Sequence, residues 1–488
     1  MWLQVKKWLP RLALVLAVVV IAWSLGRTLW MYLEYNWKTV TFPYTVDYGE
    51  GPVLDQVMRM SKFQNIYLPN PTQIPYTISN YPPLYHILQT PFAWIFGPAF
   101  WYGRGISFLS ILAAAVFIVL TLQAITKDWL ASIIGGATLL AIPYILQWSP
   151  FCRVDSLALG VSWAGLFVIV RWPNNRKALI TGAALLTAAI FTRQSYALAA
   201  PFAAFVWLIS QKPRLQAFKL AAWVAGIGLA GFLVLMLLSK GGFYFNIVTS
   251  NVNQFYWNTV KDYAKAIWEH MPYLVISSSL FILLAAFFHV RSWWLATPYL
   301  LAATASAVTI GKAGSNVNYL FEFSAGLAFM AGAILAAAGK KWWSKAILVL
   351  LLAAQVAYLY PWTKDNYYQW VMGRVENEGG AIGLLQDYVH EAEGPVLADE
   401  FMGLVVLDHR QLVFQPFEFK QLSIAEVWDE TPFIQDLNAK KFDLILLYAP
   451  ASWDSRHERW TQNQLDAIAY NYRQVGIIAQ TLVLKPKK

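Results

Sequence analysis

Residues 81–97 read YPPLYHILQTPFAWIFG, and whether this stretch crosses a bilayer decides the side on which every later loop lies. Its apolar part is about fifteen residues long and holds His86 and Pro91, against the roughly 17–25 apolar residues a spanning helix needs. The excess of Lys and Arg in cytoplasmic loops settles the matter. With 81–97 lying on the surface, the inner side receives Lys6, Lys7, Arg11; Lys127; Arg171, Arg176, Lys177; Lys212, Arg214, Lys219; Arg291; and Lys340, Lys341, Lys345. That is fourteen bases against one acid, Asp128, while the outer side takes the other eight acids of residues 1–360 with eleven bases. A crossing at 81–97 would throw the later basic loops outside. The stretch is therefore expected as an interfacial, partly helical segment in the outer leaflet.

Composition puts the bilayer there in the first place. The chain has 488 residues, of which 58% are hydrophobic, 16% aromatic and only 13% charged, too little polar surface for a soluble globule of this size. Residues 1–360 hold nine of the 27 acids but 25 of the 37 bases, and the remaining 128 residues hold 18 acids and 12 bases, an ordinary soluble balance. The chain divides near Pro361 into a multi-span membrane domain, 1–360, and a soluble C-terminal domain, 361–488. The net charge of +10 sits in short loops between apolar runs, so nucleic acid is not an expected partner. The single Cys152 excludes an internal disulfide and a multi-cysteine metal site.

Eleven spans are expected, at 10–33, 103–125, 129–148, 156–171, 178–192, 195–210, 218–239, 271–289, 293–311, 319–338 and 345–360. The first reads as uncleaved, being too long for a signal-peptide core and lacking a small-residue cleavage site. The fold class is thus mostly α: a multi-pass protein of the cell (inner) membrane, N-terminus cytoplasmic, with interfacial helices in a long first outer loop, 34–102, and an extracytoplasmic α/β domain. The stretches around Asp47, Asn80, Asp155, Arg193, Asn251 and Glu322 then share the outer face.

Three acids, Asp47, Glu50 and Asp55, crowd the segment TVDYGEGPVLDQV, residues 45–57. The pattern Val53, Leu54, Val57, Met58 reads as a short amphipathic helix with Asp55 on its solvated face. Asp47 and Glu50 fall in the turn before it, either as helix-terminal carboxylates or as working groups, with Gly49 and Gly51 allowing a ligand to approach the backbone. Arg153 and Asp155 lie at the outer end of the third span, where they either pair to anchor the helix or leave Asp155 to join Asp47 and Glu50 around one substrate. Arg193 and Gln194 occupy the next outward-facing junction, and a guanidinium there suits bidentate phosphate recognition or lipid headgroup anchoring. The tetrapeptide SNVN occurs twice, at 250–253 and 315–318, offering Asn253 and Asn318 to a hydroxyl-rich ligand or simply to turns. Glu322 lies inside an apolar run, which favours a functional role. No phosphate loop, dinucleotide fingerprint, HExxH or Ser-His-Asp signature occurs, and the six histidines are scattered. No cofactor is firmly expected; a hard divalent cation, Mg2+, Mn2+ or Ca2+, on Asp47 and Asp155 oxygens and a substrate phosphate stays open.

After residue 361, EGGAIGLLQDYVHEA reads as a helix, GPVLADE as a strand and GLVVLDHRQLVFQPFEF as strand or strand-helix material. TPFIQDLNAKK reads as a helix, FDLILLYAP as a buried strand, RWTQNQLDAIAYNYRQVG as a helix and IIAQTLVLKP as a last strand, a small α/β pattern. Asp399 and Glu400 close a strand and suit recognition or packing.

The acidic motif in a long first outer loop, the YPPL at its end, the Arg-x-Asp of Arg153 and Asp155, the Arg193-Gln194 pair and the outer soluble tail together resemble the GT-C superfamily of membrane glycosyltransferases, in the protein O-mannosyltransferase and aminoarabinose transferase branch. The resemblance covers the first 200 or so residues best and is architectural in the tail. It implies inverting transfer of a sugar from a polyprenyl-phosphate-linked donor to a glycan, lipid or protein hydroxyl at the outer membrane face. Asp47 or Glu50 would be the catalytic carboxylate, Asp155 the second acid and Arg193 a donor-phosphate ligand. Arg153 and Lys312 would add cations for the developing phosphate charge, with Asn80, Tyr81, Gln194, Asn253, Asn318 and Glu322 as further substrate contacts. Relatives usually carry adjacent Asp-Glu, whereas Tyr48 and Gly49 separate Asp47 from Glu50, so either can be the base. In the aminoarabinose branch an acid and a His help bind metal; Asn80 and the 251–253 stretch stand in the matching regions, which implies the loss of that site. The alternative class is a transporter or flippase of a lipid-linked sugar, against which stand the one-sided acids and the lack of an internal repeat. A membrane scaffold that merely presents the tail leaves the clustered acids unexplained.

Overall fold

The computed structural model describes residues 2–69, 71–339 and 341–488, with side chains from residue 9 onward; Lys340 and the side chains of Lys6 and Lys7, three of the inner bases, lie outside the described residues. Ten helices open the chain: α1 (Trp2–Thr41), α2 (Glu50–Ser61), α3 (Leu84–Phe96), α4 (Trp101–Thr126), α5 (Trp129–Ala141), α6 (Pro143–Trp148), α7 (Val154–Arg171), α8 (Arg176–Ile190), α9 (Ala199–Ser210) and α10 (Leu215–Leu238). Among the described residues, seven helices are long and apolar enough to cross a membrane: Leu9–Thr41, Trp101–Thr126, Val154–Arg171, Leu215–Leu238, Trp293–Gly311, Val317–Ala337 and Trp342–Glu391. The protein is a multi-pass membrane protein. The expected spans at 129–148, 178–192, 195–210 and 271–289 fall on shorter helices. The first of these breaks into α5 and α6 because Pro143 has no N–H and drives Ile142 to an extended ψ of 126°. The last belongs to a pair, Trp257–His270 and Pro272–Phe287, bent by 95°.

Residues 81–97 contain α3, whose 13 residues reach about 20 Å at 1.5 Å per residue, short of the hydrocarbon thickness. It packs on α2, so the long first loop is built and ordered. The same loop runs into the C-terminal part of the chain. Tyr76 pairs with Phe414 as an isolated bridge and sits among Phe419, Trp428 and Phe433, and the Trp428 indole donates to the Pro71 carbonyl at 3.0 Å.

The helix that starts at Trp342 continues through two π-turns to Glu391 and delivers the chain to a four-stranded sheet of order β1-β2-β4-β3, with β1 (Val396–Ala398), β2 (Leu444–Tyr448), β3 (Tyr472–Ile478) and β4 (Thr481–Pro486). β1 and β2 run parallel, Leu397 opposite Ile445; β4 runs antiparallel to both β2 and β3. Two readings need correction here. The helix drawn from residue 459 to 476 ends at Asn471, and 472–478 is β3; IIAQTLVLKP is half of a hairpin whose turn is Ala479-Gln480, both at positive φ. GLVVLDHRQLVFQPFEF holds two helices, Met402–Leu407 and Pro416–Ile424, and no strand of the sheet.

Candidate functional site

The turn before α2 is held from beneath. Glu50, at the first position of α2, accepts Arg104 Nε at 2.8 Å and Nη2 at 2.7 Å, and also the amides of Val46 (2.9 Å) and Cys152 (2.9 Å). Both side chains are fully buried. The remaining Arg104 donors reach the carbonyls of Thr39, Phe42 and Tyr44, tying the end of α1 to the turn. The guanidinium and these amides outweigh burial and keep the Glu50 carboxyl below its ordinary range.

This frame presents Asp47. Its Oδ2 accepts the Gly49 amide at 2.9 Å and Arg153 Nη1 at 3.2 Å. Burial raises the Asp47 carboxyl to about 6, opposed by Arg153 and reinforced by Glu50 and Glu400. A Cβ on Gly49 would fall on the Arg153 guanidinium, and one on Gly51 would come within 2.5 Å of the Gly403 amide nitrogen. The two glycines thus admit the protein's own groups, where the sequence suggested room for a ligand. Asp55 is the third acid and a plain correction: it is 2% exposed, accepts the Leu412 amide at 3.1 Å and lies 3.9 Å from Arg59. The Leu412 amide and the helix Met402–Leu407, which the helical pattern of α2 cannot reveal, pack on α2.

Sequence neighbours Arg153 and Asp155 do not pair with each other. Arg153 turns to Asp47 and to the Tyr81 hydroxyl (3.4 Å), lying 5.5 Å from the Trp148 ring centroid. Asp155, fully buried, takes Arg193 and Asn318 Nδ2 (3.1 Å) on Oδ1 and the Trp148 indole (3.2 Å) on Oδ2. Arg193 crosses the Tyr319 ring at 4.3 Å. Gln194 donates to the Asn80 carbonyl at 3.1 Å, Lys312 to Asn251 Oδ1 at 3.1 Å and Asn253 to the Ala313 carbonyl at 2.9 Å, which joins the 250–253 loop to the loop after residue 311.

These groups surround a cavity of about 820 Å³. Asp47, Asn80, Tyr81, Arg153, Arg193, Gln194, Asn253 and Lys312 line it; Glu50, Asp155, Asn318 and Glu322 do not. Asn318 and Glu322 border a small recess behind Arg193, and Glu322 Oε1 has no partner among the described residues. The far wall comes from the long helix and the sheet region, through Trp370, Arg374, Glu400, Glu418, Tyr448, Trp453, Glu458 and Arg459. Sequence reasoning passed over most of that wall and Arg104, whose only signal was a lone Arg inside the apolar start of α4. Among the described residues no group of three or more His, Cys, Asp or Glu could hold a metal. Asp155 is engaged by Arg193, Asn318 and Trp148, and Asp47 by the Gly49 amide and Arg153 on Oδ2. Chemically, the membrane-side wall sets one carboxylate among three cations, in a cavity large enough for a ligand of drug size.

No protein-family model matches the chain. No curated protein matches it either. Solved structures do. ArnT from Cupriavidus metallidurans, bound to undecaprenyl phosphate, superposes with a TM-score of 0.63 at 13% identity over 95% of this chain and 98% of that one. The archaeal oligosaccharyltransferase AglB from Archaeoglobus fulgidus, in complex with an inhibitory peptide and a dolichol-phosphate, gives 0.57 at 11% over 99% and 75%; an Archaeoglobus fulgidus oligosaccharyltransferase in complex with Zn and sulfate gives 0.57 at 12% over 96% and 72%. The arabinofuranosyltransferase AftD from Mycobacteria gives 0.53 at 12% over 97% and 40%. All three are GT-C membrane glycosyltransferases, and this chain has their fold.

Proposed function

We propose that the protein is a glycosyltransferase that moves a sugar from a polyprenyl-phosphate-linked donor to a hydroxyl of a glycan, lipid or protein acceptor, with inversion, at the outer face of the cell membrane. The observation that carries this reading is Asp47, the one carboxylate on the membrane-side wall of the cavity, set beside Arg153, Arg193 and Lys312. The acceptor oxygen attacks the anomeric carbon as the bond from that carbon to the phosphate oxygen breaks. The phosphate leaves with the electron pair, and Asp47 takes the acceptor proton. Arg193 and Lys312 hold the charge that develops on the phosphate. Lys312 is half-buried, and burial followed by Arg193 lowers its pKa. Glu50 and Asp155 act as positioning residues, Glu50 by fixing the Asp47 turn through Arg104 and Asp155 by aiming Arg193.

Residues 1–360 are read as the catalytic membrane unit, amino-terminus cytoplasmic, and 361–488 as an extracytoplasmic unit. Incubating the purified protein with undecaprenyl-phosphate-linked sugars and an extract of envelope glycans tests the activity. Release of undecaprenyl phosphate with a glycosidic product of inverted configuration is expected. Movement of intact donor between leaflets without cleavage would instead support a flippase.

A further inference from the structure

The cavity has two unlike walls. On the membrane side Arg153, Arg193 and Lys312 face one acid, Asp47; on the sheet side Glu378, Glu400, Glu418 and Glu458 face Arg374 and Arg459. Both sheet-side arginines are already engaged. Glu400 bridges them, with Arg374 Nη1 and Arg459 Nη2 each at 2.6 Å, and Arg374 also donates to the Val46 carbonyl at 2.8 Å and lies 3.4 Å from Glu378. Glu418 and Glu458 have no cation within ion-pair distance among the described residues, and the only side-chain partner of Glu418 is the Tyr48 hydroxyl, at 3.0 Å. Tyr48 is the residue next to Asp47.

The same wall exposes two indoles. Trp453 is 41% and Trp370 57% exposed, although both line the cavity. Trp453 is set by the Arg459 guanidinium, 5.2 Å from its ring centroid, and by Tyr448 at 6.3 Å. Trp370 lies about 42 Å along the helix from Trp342, beyond the ~30 Å hydrocarbon layer, so its exposure is not a contact with lipid tails.

An indole face offers apolar area to the C–H face of a pyranose ring, and a carboxylate accepts hydrogen bonds from sugar hydroxyls. An anionic ligand would meet unpaired carboxylates here. An alkyl chain would bury them without hydrogen bonds, at a cost of several kcal/mol. We propose that this wall is the acceptor subsite and that it takes an uncharged saccharide, stacked on Trp453 and Trp370 with hydroxyls on Glu418 and Glu458, beside Asp47. The proposal rests on the transferase reading for the word acceptor, and the test separates the two.

Full-length protein in nanodiscs is titrated by saturation-transfer NMR with neutral hexasaccharides of glucose, mannose and galactose and with hexagalacturonate, and undecaprenyl phosphate binding is read on the same samples by native mass spectrometry. At least one neutral hexasaccharide is expected to bind more tightly than hexagalacturonate. Trp453→Ala and Glu418→Gln should each weaken it about tenfold, Trp453→Phe should restore most of the affinity, and undecaprenyl phosphate binding should not change. Binding of no neutral hexasaccharide, preference for hexagalacturonate, or full affinity in Trp453→Ala overturns the proposal. Saccharide binding without undecaprenyl phosphate binding upholds the subsite and overturns the donor reading instead.

Discussion

Gly49 and Arg153 occupy one volume between them: the space where a Cβ on residue 49 would stand is filled by the guanidinium that reaches Asp47. The absence of a side chain at 49 is what lets Arg153, 106 positions from Asp47, steady that acid, the only one of the first outer loop to line the cavity among the described residues. Gly49→Ala should therefore push Arg153 off Asp47. A displacement near 1 Å is enough to cost roughly 100-fold in turnover, and thermal unfolding should move little. Transfer assays beside a melting curve check both halves.

Glu50 and Asp47 should separate by what their amides do. Removing one charge from the buried Glu50–Arg104 pair leaves the other uncompensated, an effect of about 3–5 kcal/mol. Glu50→Gln and Arg104→Gln are thus expected to lower the melting temperature and the yield of folded protein. Asp47→Asn removes a charge at a part-exposed position and should leave the melting temperature near that of the parent.

The pH profile follows from the raised Asp47 carboxyl. A base must be deprotonated, so kcat/KM should fall as pH drops through about 6 and level off above it. Arg153 lowers that value, so Arg153→Gln should move the acid limb to higher pH. Because the folded value lies above that of an ordinary Asp, this carboxyl adds stability that is fully present at low pH and is lost as pH rises through about 6. A rate profile from pH 5 to 8.5 for both proteins reads the limb directly.

Arg193 should act on the donor. Lysine keeps the charge but loses the planar fork that binds Asp155 and that the proposal also assigns to the donor phosphate. Arg193→Lys is expected to raise the donor KM about tenfold or more, while the pH limb assigned to Asp47 stays in place. An unchanged KM would remove Arg193 from the donor site.

Much of this arrangement was legible because charge is costly in an apolar chain. Asp47, Arg153 and Arg193 stood out for that reason, and the parity of the basic loops put their stretches at one end of the helices, where they do meet around a cavity. Partners were not legible. Arg153 and Asp155 are neighbours in sequence yet pair with Asp47 and Arg193, and the partner of Glu50 lies 54 residues away at Arg104. Asp55 misled for the same reason, since the segment that buries it lies 357 residues further on. Apart from Glu400, the acidic far wall was invisible because acids in a soluble-looking tail are ordinary until the fold turns them toward the membrane helices.

The most direct test of the central claim is the rate of sugar transfer from undecaprenyl-phosphate-linked donor by Asp47→Asn, measured on protein shown to be folded and to bind undecaprenyl phosphate. The account predicts a loss of about 100-fold or more with donor binding retained. Transfer at the parent rate in Asp47→Asn, with a folded Glu50→Gln inactive, would contradict it.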